Sequence, residues 1–174
     1  MEKIIQSKCL KIDKSEPQKY PARNVEAAEK WETLELQAGV KISVDGEKWL
    51  SAEERVEIYE NSGIDTSKVN YDTKIIEVSV CLKNTTEEEK EMPITYLSLE
   101  TTGVGTASSQ ELLMGNSEHY GSMVEKLEPG EEKVVTYPYE ICSIWFHKKD
   151  WKNIEMRSFW MTFASYPDKI VLYL

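Results

Sequence analysis

Residues 73–84, TKIIEVSVCLKN, alternate with a period of two: Ile76, Val78, Val80 and Leu82 share one parity, and Glu77, Ser79, Cys81 and Lys83 the other. Successive side chains of a strand point to opposite faces, so the pattern predicts a strand with one face in the core. The strand ends at Asn84. Five charges, Glu87 to Glu91 with Lys90 among them, then separate it from a second apolar run, ITYLSLET (94–101), carrying Tyr96, Leu97 and Leu99. Calcium takes about six to eight oxygens staggered along a loop, whereas consecutive glutamates diverge and Lys90 competes for them. EEEKE therefore reads as the water-facing connection between two strands, with charges that keep a neighbouring sheet edge soluble.

Upstream, TLELQAGVKISVDGEKW (33–49) places Val40, Ile42 and Val44 at every second position and then Asp45-Gly46, a dipeptide favoured in two-residue hairpin turns. The expectation is a strand ending in a tight turn. SAEERVEIYENSG (51–63) is the one helix the sequence predicts: Ser51 and Glu54 form a capping box, and Gly63 supplies a left-handed stop. Its apolar stripe is read as Ala52, Val56 and Tyr59 with Ile58 beside them, too narrow to stand without a sheet beneath it.

Downstream, KLEPGEEKVVTYPYEI (126–141) puts a Pro129-Gly130 turn before a β-rich run, in which Pro138 marks an edge strand or a strand end. SFWMTFASYPDKIVLYL (158–174) predicts two strands broken at Tyr166, Pro167 and Asp168. Short strands divided by turns, with a single helix near 51–62, predict a mostly β chain: an antiparallel β-sandwich of about seven strands. Residues 1–32 are polar, carry Pro17 and Pro21, and read as an extension or tether; 33–174 form the sandwich domain.

In this order the pieces resemble a family of small immunoglobulin-like (telokin-like) β-sandwich proteins of unknown function, surface or lipoprotein modules of Gram-positive bacteria. The resemblance covers roughly 31–174 and runs through SAEERVEIYENSG, IIEVSVCLKN, LEPGEE, SIWF (143–146) and SYPDKIVLYL. It implies a position outside the membrane, held by an N-terminal anchor through a polar tether, and it brings no active site with it. The start of the chain, MEKIIQSKCLKIDKSEP, lacks the apolar core of a secretory leader, and Cys9 lacks the small neighbours of a lipidated cysteine. A cytoplasmic location therefore stays open.

The chain has 174 residues, 40% hydrophobic and 30% charged, with nine tyrosines and five tryptophans, enough for one sizeable core. Thirty-one acidic residues against 21 basic give a net charge of -10, which repels a phosphate backbone and makes nucleic acid an unsuited partner. No run of residues is long and apolar enough to span a bilayer. Cys9, Cys81 and Cys142 are too few and too spread for a disulfide framework or a zinc site, and the redox state of Cys81 and Cys142 is open.

His119 and His147 have no second ligand at zinc spacing, so no metal is expected, and no cofactor. GVGTASS (103–109) has only part of a phosphate-loop spacing and reads as a loop. Asn84-Thr85-Thr86 has the form of a glycosylation sequon and reads as a polar strand end. A nucleophilic set would have to draw on His147, Asp150 and Cys142, and a small hydrolase on His147, Asp150 and a carboxylate such as Glu155, neither a recognisable constellation. No catalytic residue is assigned. Trp160 and Phe163 are expected in the core. Trp145 and Trp151, set in the polar surroundings of HKKDWKN (147–153), are the expected contacts for a protein or glycan partner. The function expected is thus a non-enzymatic binding module; a purely structural envelope subunit is the other reading.

Overall fold

The computed structural model describes residues 24–30, 32–37, 39–94, 97–165 and 168–174. Cys9, Pro17, Pro21, Tyr96, Tyr166 and Pro167 lie outside the described residues. The strand read from TKIIEVSVCLKN is β4 (Thr73–Asn84), counting from β1 (Asn24–Ala28), β2 (Leu34–Gln37) and β3 (Val40–Trp49). It pairs antiparallel with β3 on one side and with β9 (Glu132–Cys142) on the other, in a four-stranded sheet ordered β2-β3-β4-β9. The remaining strands are β5 (Lys90–Pro93), β6 (Leu97–Thr101), β7 (Val104–Ala107), β8 (Val124–Leu127), β10 (Trp160–Ser165) and β11 (Asp168–Tyr173). Four of them join β1 in a second sheet, β1-β11-β10-β6-β7, and β5 and β8 pair by themselves.

The two large sheets close on one core. Ile76, Val78, Val80 and Leu82 are fully buried and share a cluster with Leu97, Leu99, Met161 and Leu172 of the opposite sheet. Burying a side chain of this size stabilises by roughly 1.5–3 kcal/mol, which fixes the parity of every strand that contributes one. The chain is a mostly β sandwich, as expected, with smaller pieces than the sequence suggested: eleven strands and three short α-helices among the described residues.

The helices are α1 (Ala52–Asn61), α2 (Gln110–Gly115) and α3 (Lys148–Trp151). Only α1 was legible, since four- and six-residue helices are too short to show a period. Its capping box is formed: Glu54 N–H donates to Ser51 Oγ, and Ser51 N–H to Glu54 Oε2. Gly63, at φ +67°, ends it. The buried face differs from the expected stripe, because Tyr59 is buried while Ala52 and Val56 face water. Arg55 turns inward and donates to the Thr73 carbonyl at 2.6 Å, which rotates the helix onto Tyr59 and Ile58. With Leu112 of α2, Tyr59 covers Ile75 on the side of β4 facing away from the core.

Asp45-Gly46 is not a turn. β3 runs through it, with Val44 opposite Val80 and Gly46 opposite Ser79, so Asp45 is the extra residue of a bulge. The partners decide this: β4 continues past the dipeptide for three more pairs after Gly46, up to Trp49 opposite Ile76. Nor does the chain join the sandwich only at residue 33. Asn24–Ala28, taken from the sequence as part of the extension, pairs parallel with β11, and Ala28 is buried in the core. A five-residue edge strand with polar neighbours has no visible alternation, which is why it was missed.

Asp168, expected in the break, is the first residue of β11. Pro138 sits inside β9, tolerated because β9 is an edge; its carbonyl accepts from Ser108 Oγ at 2.8 Å. Trp160 is not a core residue: Met161 faces the core, so Trp160 lies on the outer face, where its Nε1 donates to Glu100 Oε2 at 3.2 Å. Phe163 packs against the core as expected. EEEKE does not lead directly to the next core strand, since Lys90 and Glu91 already belong to β5, opposite Leu127 and Lys126.

Candidate functional site

The segment between β9 and β10, residues 143–159, closes one end of the sandwich, where β4 begins and β9 ends. It starts with a 3-10 turn at Ser143–Trp145, continues through α3, and finishes with a second 3-10 turn at Ile154–Met156. Ile154 is fully buried and anchors it. Ser143 N–H donates to the Asp72 carbonyl at 2.8 Å, while Asp72 N–H donates to Ser143 Oγ at 2.9 Å. At the other end Arg157 Nη2 donates to the Thr102 carbonyl at 2.9 Å, and Lys74 pairs with Glu155. Phe146 and Trp151 stack at 6.2 Å between ring centres, with Arg157 over the first ring and Lys74 over the second. These contacts hold the cap at both its ends.

The two expected contact residues are thus separated in role. Trp151 is half-buried and packs against the core, held between Phe146 and Lys74. Trp145 is exposed, in the company of Ile144, 64% exposed, and Met156, 85% exposed. Beside Met156 lies an open cleft of about 400 Å³, lined also by Lys149, Asp150, Asn153 and Arg157. Sequence reasoning named the tryptophans from their polar neighbours and missed Ile144 and Met156, whose exposure depends on the two 3-10 turns.

The residues a hydrolase would need share the cap without forming a set. Among the described residues, no hydrogen bond joins the side chains of His147, Asp150 and Glu155, and Glu155 is engaged by Lys74. Cys142 is buried at the end of β9, and burial, with the Glu140 charge nearby, pushes its thiol up to about 11. It is a thiol at neutral pH, not a nucleophile. Cys81, half-buried on β4, is also raised, first by burial and then by Glu132. Among the described residues no cluster of His, Cys, Asp and Glu has metal-holding geometry.

A second polar group was invisible in the sequence. Glu77, on the outward parity of β4, is buried because the chain after α2 lies over it: Tyr120 OH donates to Glu77 Oε1 at 2.8 Å, and His119 Nε2 lies 2.9 Å from the same oxygen. Two further carboxylate–tyrosine pairs follow the same plan, Glu125 with Tyr137 at 3.3 Å and Glu140 with Tyr59. Burial, then the adjacent carboxylate, raises Tyr59, Tyr120 and Tyr137 above the usual phenol range. All three stay neutral donors and pin the elements that cross the sheet.

Residues 25–170 match the model of a domain of unknown function, DUF5028, beginning one residue into β1. The chain belongs to the DUF5028 family. No curated protein matches this DUF5028 chain. Among solved structures it is similar to a secreted protein of Mycobacterium tuberculosis, MPT63, with a TM-score of 0.52 and 5% identity over 88% of this chain and 100% of the other. It is also similar to a functionally unknown protein from Listeria monocytogenes, with a TM-score of 0.50 and 12% identity over 82% and 80%. An uncharacterised β-sandwich protein from Clostridium difficile gives a TM-score of 0.47 at 12% identity, over 91% and 99%. At these identities the likeness to the first two is one of fold alone.

Proposed function

We infer that this DUF5028 domain is a non-catalytic binding module of immunoglobulin-like type, working outside the cell membrane and presenting its cap to a protein or glycan partner. The observation that carries the reading is the contrast within the cap. A segment anchored by Ile154, Phe146 and Trp151 leaves Ile144, Trp145 and Met156 in water. Exposed apolar side chains on a rigid support are what a recognition surface requires, and binding loops are commonly positioned by such a scaffold. The extracytoplasmic placement rests on the order of motifs shared with surface modules; one of the proteins with a similar fold is itself secreted. Trp145 is the principal contact in this reading, and Trp151 supports it from beneath.

Location and binding are tested together by expressing the full coding region in its own host and fractionating the cells. The reading expects the protein in the envelope or medium, and expects Trp145→Ala to leave its amount there unchanged while weakening its retention on partner-bearing envelope material. Recovery in the cytosol alone contradicts it.

A further inference from the structure

The cap differs in charge from the rest of the molecule, and this names the partner it suits; the step rests on the binding reading above. The protein carries -10 overall, yet Lys148, Lys149 and Lys152 lie on and beside α3 with no ion-pair partner among the described residues. Of the acids nearby, Glu155 is taken by Lys74, and Asp150 lies in the cleft. Most exposed lysines elsewhere are matched, such as Lys48 by Glu54, Lys83 by Glu132 and Lys126 by Glu91, and Lys41 stands alone on β3, so the cap is where unmatched lysines gather. The same segment carries the exposed Ile144, Trp145 and Met156, and Lys149 lines the cleft with Met156, so the cap is at once cationic and apolar.

We propose that the cap docks an acidic polypeptide segment, with carboxylates on Lys148, Lys149 and Lys152 and an apolar or aromatic side chain against Trp145 and Met156. Charge complementarity selects the sign of the partner. The apolar groups select its class: sugars are bound on flat aromatic faces, and here only Trp145 of the cap's tryptophans is open while Ile144 and Met156 are aliphatic. An anionic bilayer selects clusters of about four to eight basic residues, and the cap offers three, since its Arg157 is engaged by Thr101, Thr102 and the Phe146 ring. The overall negative field opposes any polyanion, so attraction must come from this patch and must fall steeply with salt.

The probes are poly-L-glutamate, a random copolymer of glutamate and tyrosine, and dextran, each titrated against the whole chain at low and physiological salt. The copolymer is expected to bind more tightly than polyglutamate. The combined variant Lys148→Glu, Lys149→Glu, Lys152→Glu is expected to lose about tenfold or more in affinity, as three exposed ion pairs would give. Trp145→Ala should erase the preference for the copolymer. Both variants change exposed side chains, and unchanged melting confirms that they fold. Absence of copolymer binding at low salt, or equal binding by the lysine variant, overturns the proposal. So does self-association that the lysine variant abolishes, which makes the occupant a second copy. Salt-independent binding of dextran through Trp145 overturns the acidic partner while leaving the cap as a binding surface.

Discussion

Trp145 and Trp151 stand six residues apart in one loop, yet the fold uses them differently, and substitution separates the two uses. Trp145→Ala removes an exposed ring and should change stability by no more than about 0.5 kcal/mol. Trp151→Ala removes a ring packed on Phe146 and the core and should cost about 2 kcal/mol, less than for a fully buried tryptophan. Urea unfolding of both variants checks the contrast; equal costs would mean that the cap is not anchored as described. The Glu77–Tyr120 pair gives a second test at this scale. Tyr120→Phe leaves a buried carboxylate short of one donor and should cost about 1.5–3 kcal/mol. Neither Glu77 nor Tyr120 could be read as partners from the sequence, because the contact joins positions 43 residues apart through a loop with no pattern of its own.

At the scale of elements, β4 and α1 were legible because each carries a signal that only one structure satisfies: strict alternation for the strand, a capping box and a terminal glycine for the helix. Ser51→Ala should cost about 1 kcal/mol in unfolding free energy, the usual worth of such a cap. Asp45-Gly46 was misread because local turn chemistry was weighed without the partner strand, and nine residues of β3 paired with β4 outweigh one dipeptide. A glycine series separates the two readings. In a bulge with φ outside the left-handed region and open space at Cβ, Gly46→Ala is tolerated within about 0.5 kcal/mol. Gly39, at φ +82° with its Cβ position 2.1 Å from Thr86 Cγ2, joins β2 to β3, and Gly39→Ala should cost more than about 1 kcal/mol. If Gly46→Ala proves the more damaging, the bulge assignment fails. α2, α3 and β1 stayed hidden because four to six residues fall below the length at which a period can be recognised.

For the molecule as a whole, buried tyrosines make the sandwich sensitive to alkali. Tyr59, Tyr120, Tyr137 and Tyr139 are all raised, chiefly by burial, and Cys142 is raised from 9.0 to about 11 by the same cause. A group whose folded pKa lies above its unfolded value adds stability that is complete below the unfolded pKa. For Cys142 that contribution is lost as pH rises from about 9 through about 11, and the tyrosines extend the loss further upward. Ultraviolet titration should therefore show these four of the nine tyrosines ionising only as the protein unfolds. Simple titration of all nine in a folded chain would contradict the packing of β9. The sandwich class was readable because alternation recurs along the chain, while the functional surface was readable only in part: it depends on which aromatic the cap buries, and that is a tertiary outcome.

In this reading the cap, not another face, meets the partner. Site-specific photo-crosslinking in the native host tests it, with a photoreactive phenylalanine analogue replacing Trp145 in one strain and Val134, exposed on β9 near the far end of the sheet, in another. A discrete adduct is expected from position 145 and none from 134. The absence of an adduct at 145, or the same adducts from both positions, would contradict it.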